Sequence, residues 1–326
     1  MLRKSLLCAA LMFAGCDNSK NDEESFREGL PTKEMVEVKS PSKNNGQGLT
    51  AFYGQGQTAE YYALTVGAAV TVNGGTLWVL NLIEEIVKHP PTSIDGDVAV
   101  WGPHTGALNL HTWKLTVTRT GDDTYSWVLE GKGKNEQDSA FKAILSGTHA
   151  AAVDANGDRV RGYGSGEFLI DWDKSRTLPG ADQKDMGTAE IRYSRTGTTA
   201  VASVEAEFRQ IRDESELNGR VDANYAFKQT PGAGGELDFV IKKNIDTDPS
   251  RSQVENLAIK SRWEGSGAGR SDIKLSGGDL FGSAEVNECW DSNFLSAYFA
   301  ISINPVLGYG TVSACGNFST AVYSTL

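Results

Sequence analysis

From residue 111 onward the chain alternates between apolar and polar positions. In 111–119, Trp113, Leu115 and Val117 fall on one side, and Thr112, Lys114, Thr116 and Thr118 on the other. A period of two marks a strand with one buried and one solvated face. Gly121-Asp122-Asp123 supplies a turn, after which Tyr125, Trp127 and Leu129 alternate with Ser126, Val128 and Glu130. The pattern returns at Phe141, Ala143 and Leu145, at Phe168, Ile170 and Trp172, and at Ala202, Val204, Ala206 and Phe208. It continues through Tyr225 and Phe227, Leu237 to Ile241, Leu257 and Ile259, Ile273 and Leu275, and past Val286 to Ser302. About ten to thirteen strands follow one another with no helical period between them, so each is expected to pair with its neighbour in sequence. The fold class is mainly β, a curved antiparallel meander or a barrel.

Ahead of residue 95 the period is helical. Ala59, Tyr62, Ala63, Val66, Ala69 and Val70 keep a three-and-four spacing over 58–71. Asn73-Gly74-Gly75 reads as a stop, and Thr76 as the cap of a second helix over 77–88 that ends before His89-Pro90-Pro91. Residues 77–88 are apolar around most of the circumference, which predicts a buried helix lying across the sheet or plugging a barrel. A strand over 77–82 is the alternative. The expected domain is thus 56–326, one β-rich unit whose N-terminal part, about 58–89, supplies one or two covering helices.

The first residues form a third region. Arg3 and Lys4 precede a short apolar stretch, far below the ~20 residues of a spanning helix. Phe13-Ala14-Gly15-Cys16 resembles the lipobox of bacterial lipoproteins, whose usual form is Leu-Ala-Gly-Cys, with Phe13 in place of leucine. The resemblance implies a signal peptide at 1–15, cleavage after Gly15 and acylation of Cys16, hence a cell-envelope protein anchored to a lipid bilayer. Which membrane it faces stays open. Residues 16–55 are rich in Asn, Ser, Lys, Glu and Gly, a composition that predicts a flexible polar tether. In architecture the chain also resembles lipoproteins whose half-barrel sheet is covered by apolar helices and carries hydrophobic cargo, and uncharacterised bacterial lipoproteins in which a Pro-Pro-ended helix precedes a β meander.

Composition narrows the chemistry. There are 36 glycines in 326 residues, above the roughly 7% of average usage, in keeping with many turns. A net charge of −11 argues against a nucleic-acid partner, which phosphate contacts would bind through Lys and Arg. Charges in mid-strand, Lys114, Glu130, Glu205, Glu207, Arg209 and Lys242, argue against a membrane-spanning barrel with an apolar outer face. Apart from Cys8 and Cys16, the cysteines are Cys289 and Cys315. An even number in an exported protein predicts a disulfide; two separate buried thiols are the alternative.

No catalytic set emerges. There is no G-x-S-x-G and no H-E-x-x-H, and His89, His104, His111 and His149 share no ligand spacing, so no metal is expected. The glycine-rich runs 162–166 and 265–269 complete no phosphate loop, and no cofactor is expected. Asp154-Ala155-Asn156-Gly157-Asp158 starts like a calcium loop, but Arg159 and Ser165 stand where glycine and glutamate belong. Asp171 and Asp173 share a strand face without further support for glycoside chemistry. What remains is aromatic: Trp78, Ile83, Trp113, Trp127 and Trp172 are the candidate lining of an apolar cavity between helix and sheet. The expected partner is a hydrophobic small molecule. The alternative is a solid-cored structural lipoprotein that meets another envelope protein.

Overall fold

Strand follows strand because polar turns punctuate an otherwise unbroken alternation. The structure is a computed structural model and describes residues 18–41, 53–106, 108–212, 219–243, 250–251 and 253–326; Cys16 and the lipobox lie outside them. The strands are β1 (Ser93–Asp95), β2 (Val98–His104), β3 (His111–Arg119), β4 (Thr124–Gly133), β5 (Lys142–Val153), β6 (Arg159–Asp171) and β7 (Thr188–Arg195). Then come β8 (Ala202–Arg212), β9 (Arg220–Thr230), β10 (Gly234–Lys243), β11 (Glu255–Glu264), β12 (Gly269–Gly277), β13 (Ser283–Trp290) and β14 (Ser296–Ile301). They form one sheet in strict sequence order, every pair antiparallel. Among the described residues β1 and β14 do not pair, so the sheet is an open meander and not the closed barrel that was the other form of the expectation.

Register keeps one face apolar from edge to edge. A lateral row takes one residue from each strand, from Ile94 and Ala99 through Trp127, Phe168, Ile191 and Phe239 to Val286 and Ile301. A slip of one residue in any strand would turn its apolar set to water, so this row fixes the pairing.

Helix α3 (Glu60–Val87) covers that face. Its course is traced by contacts: the Tyr61 amide donates to Glu288 on β13, Thr65 bonds Ser261 on β11, Gly75 lies against Phe208 on β8, and beyond the helix the carbonyl of His89 accepts from Trp101 on β2. It therefore crosses most of the sheet as one rod. The stop read at Asn73-Gly74-Gly75 is not one. Asn73 pairs with the backbone of Val38 in both directions, each bond 2.9 Å, and a Cβ on Gly75 would come within 3.1 Å of the Phe208 ring. Asn73 and Gly75 are used for close tertiary contact, which offsets the ~1 kcal/mol that each glycine costs a helix; Gly74 faces open space.

The expected tether is also corrected where it can be seen. Helices α1 (Asn18–Glu28) and α2 (Lys33–Val36) dock on the core, burying Phe26, Leu30, Met35, Val36 and Val38. The ring of Phe26 meets Tyr125 edge-on, and Arg27 donates to the carbonyl of Val87 at 2.7 Å. Acidic residues of α1 face strand cations: Glu28 pairs with Arg159 and Arg161, and Glu24 with Arg161. Composition predicted disorder because the segment has little apolar periodicity, but a few well-placed side chains suffice to hold it.

At the other end the chain after β14 returns over the outer face of β11–β13. The predicted disulfide joins Cys289 to Cys315, with Cα atoms 5.3 Å apart. Beneath the returning segment Asp272, fully buried, accepts from Arg270 (2.5 Å), Arg262 (2.8 Å), Asn287 (2.8 Å) and the Val322 amide (2.9 Å). Arg270 in turn donates to the carbonyls of Phe318 and Ser319. The edges are blunted. β1 has three residues, and β14 is bridged by Tyr309 at Phe299 and by backbone bonds from Gly56 and to Gln57 at Ser296.

Candidate ligand cleft

Trp113 projects from β3 over Gly131, its lateral partner on β4. A Cβ at residue 131 would lie 2.7 Å from the Trp113 ring and 2.7 Å from Leu178, so glycine is what lets the indole lie flat there. Two hollows share this ring as part of their lining. One, of about 360 Å³, is lined by Ile86 at the end of α3, His89 and Pro90 beyond it, Trp101, Pro103 and His104 on β2, and Leu115. A bulge between Trp101 and His104 breaks the β2–β3 register here, and such irregularities re-aim side chains. The other hollow, of about 290 Å³, lies between Trp78 on α3, His111 and Trp113 on β3, and Trp172, Arg176, Leu178, Asp182 and Asp185 of the β6–β7 connection. Trp172 opens helix α4 (Trp172–Ser175) and does not continue the strand as its alternation suggested. Asp171 caps that short helix by accepting from the Lys174 amide.

Of the five candidate lining residues, Trp78, Trp113 and Trp172 thus come together. Ile83 and Trp127 do not join them. Both are 2% exposed. Trp127 packs 6.0 Å from the Phe168 ring, and Ile83 borders a different hollow, between α3 and the 27–34 segment. Where the helix crosses mid-sheet, the interface holds side chains such as Val79, Leu80 and Phe208. The hollows sit at the β2–β4 end. Trp101, Ile86 and Leu178 were missed because they reach the cleft only through the bulge, the Pro90-Pro91 exit and the α4 turn. The sole sequence signal was the crowding of Pro, His and Trp between 89 and 113.

Polarity is uneven. The larger hollow has no charged lining residue, only the two imidazoles and Thr92. The smaller has Arg176 and two aspartates. Arg176 is engaged by Asp173 at 3.7 Å and by Gln183. Trp172 stacks on Phe208 at 6.2 Å, and its indole N–H has no hydrogen-bond partner among the described residues.

Elsewhere the titratable groups serve structure. Asp173, noted with Asp171 as acids on one predicted strand face, is bonded by Arg220, which holds its pKa below the ordinary range for Asp. Asp154 closes its own turn by accepting from the Asn156 and Asp158 amides. His149, 1% exposed, shares a 2.8 Å hydrogen bond with the Tyr193 hydroxyl, and burial pushes its pKa down to about 4. It is a neutral core residue at ordinary pH, with a tyrosine and not a serine or carboxylate beside it. Glu288 faces the first amides of α3, taking the place of the cap that Ala59 cannot supply. Burial raises its pKa to about 7 against the lowering effect of Ser296 and those amides. Among the described residues no three His, Cys, Asp or Glu side chains form a group able to hold a metal.

α3 is long and apolar enough to cross a membrane; Tyr62, Val66, Val72, Val79 and Ile83 on one side are buried within the molecule, while Val70 and Trp78 are exposed. No protein-family model matches the chain, and no match to it was found among curated proteins or among solved structures.

Proposed function

We propose that the protein is an exported, lipid-anchored binding module that holds a hydrophobic small molecule in the cleft around Trp113. The observation that carries this reading is the pair of hollows that share that ring, walled by Trp78, Trp101, Trp172, Ile86 and Leu115. Large apolar pockets with a few polar groups are where small ligands bind. Ser175, His111, Asp182 and Asp185 line the smaller hollow, but among the described residues no hydrogen bond joins that serine to a base, and the reading is of binding. The anchor is assigned to Cys16 on the lipobox resemblance. An acidic chain gains little from anionic lipid surfaces, so lipid attachment would do the holding.

Two measurements test this. Titration of the full chain with Nile red is expected to give saturable binding that Trp113→Ala abolishes while the far-ultraviolet circular dichroism is kept. Absence of saturable binding overturns the cleft. Labelled palmitate is expected to enter the wild-type chain and not Cys16→Ser; equal labelling overturns the anchor.

A second reading, a structural lipoprotein that meets another envelope protein, draws on Phe281 and Val306, which are fully or nearly fully exposed at the opposite end. Crosslinking in cells that fails when both are changed to serine, with Nile red binding unaffected, would favour it.

A further inference from the structure

We propose that the smaller hollow, between Trp78, Trp113 and Trp172, receives an organic ammonium group, the methylated nitrogen of a choline-type ligand. The inference rests on the reading of the cleft as a ligand site and names the polar end of what enters it. Three indoles from three separate elements, α3, β3 and the β6–β7 connection, line one space of about 290 Å³. Tryptophan offers the best aromatic face for a cation, and desolvated walls strengthen the attraction. None of the protein's own described Lys or Arg side chains competes for those faces, although Trp172 stacks on Phe208 and His111 meets Trp113 edge-on. Among the described residues Lys and Arg lie over rings such as Phe26, Phe141 and Tyr125, and over none of the seven tryptophans.

Charge points the same way. Asp182 and Asp185 line the hollow, and its one cation, Arg176, already faces Asp173. A bare carboxylate or phosphate would meet two carboxylates; a diffuse cation meets two carboxylates and aromatic faces. A small, strongly hydrated ammonium such as that of lysine would lose more water on entry than a methylated nitrogen, whose shell is apolar. The uncharged hollow beyond Trp113 is then left for the hydrocarbon part of the same molecule. The shared chemistry is met both by a free choline-type solute and by the headgroup of a choline lipid.

The test is calorimetric titration of the full chain with choline chloride and, in parallel, with 3,3-dimethylbutan-1-ol, the neutral isostere in which carbon replaces nitrogen. Choline is expected to bind saturably, and the isostere about tenfold more weakly or worse. Trp78→Ala, on the exposed side of α3, is expected to abolish choline binding, and Asp185→Asn to weaken it severalfold. Equal affinity for the isostere, no saturable choline binding, or choline binding unchanged in both variants overturns the inference. Monomeric short-chain phosphatidylcholine binding at least about tenfold more tightly than choline would identify the lipid source; equal affinities would identify the free solute. Nile red separates the two readings. If it still binds where choline fails, the ammonium site falls and the apolar cleft stands; if both fail, the cleft itself falls.

Discussion

The two ends of the sheet are built to opposite specifications. At β11–β14 both faces are covered: α3 begins on the inner one, capped by Glu288, and the returning C-terminal segment lies on the outer one over the buried Asp272 network, stapled by Cys289–Cys315. At β2–β4 the helix ends, the chain leaves through Pro90-Pro91, a bulge interrupts the ladder, and large aromatic side chains line open hollows. Apolar surface is present at both. What differs is whether the chain spends residues to seal it. The sealed end supplies stability, and the open end leaves apolar surface uncovered, the surface that the proposed ligand would use.

Substitutions should separate the two. The largest loss is expected from Asp272→Ala, which strands Arg270 and Arg262 without their carboxylate; removing one partner of a buried ion pair costs about 3–5 kcal/mol. Urea unfolding measures it, and ligand affinity at the open end should not change. Next is the disulfide. Its 26-residue separation corresponds to about 3–4 kcal/mol of loop-closure entropy, so Cys289→Ser with Cys315→Ser should lower the urea midpoint accordingly.

The third test is pH. Glu288 carries a folded pKa of about 7 against an ordinary 4.5, with Glu60, Tyr61 and Tyr309 among the groups around it. Folding therefore favours its protonated form. Its contribution is fully present below pH 4.5 and is lost as pH rises to about 7, a span of about 3 kcal/mol. Glu288→Gln is expected to flatten that part of the stability profile and to exceed the wild type in stability at pH 8. The smallest change belongs to the open end: Trp78→Ala should alter stability by no more than about 1 kcal/mol, since the ring is 39% exposed. A loss there as large as that of Asp272→Ala would erase the distinction between the ends.

The strands were legible in the sequence because alternation is local. Trp113, Leu115 and Val117, or Val204, Ala206 and Phe208, declare their face within a few residues, and sequential hairpins leave little choice of neighbour. The disulfide was legible because the lipobox resemblance, by setting Cys8 and Cys16 aside, left Cys289 and Cys315 to pair. The order of α1 was not, since it rests on Arg159 and Arg161, more than a hundred residues away. Nor was the continuity of α3 through Asn73-Gly74-Gly75, where the rod is held by Val38 and Phe208. For the cleft, three of its tryptophans were named from the sequence, but its position depends on a bulge and on the α4 turn, and neither has a signature in one-dimensional spacing.

An open sheet of fourteen strands has two rims, and rims recruit other chains when they run long and idle. Here one is cut to three residues and the other is occupied by neighbouring loops of the same chain. Crowding many copies side by side on a surface, as lipid attachment would do, therefore gives no template for sheet-to-sheet growth.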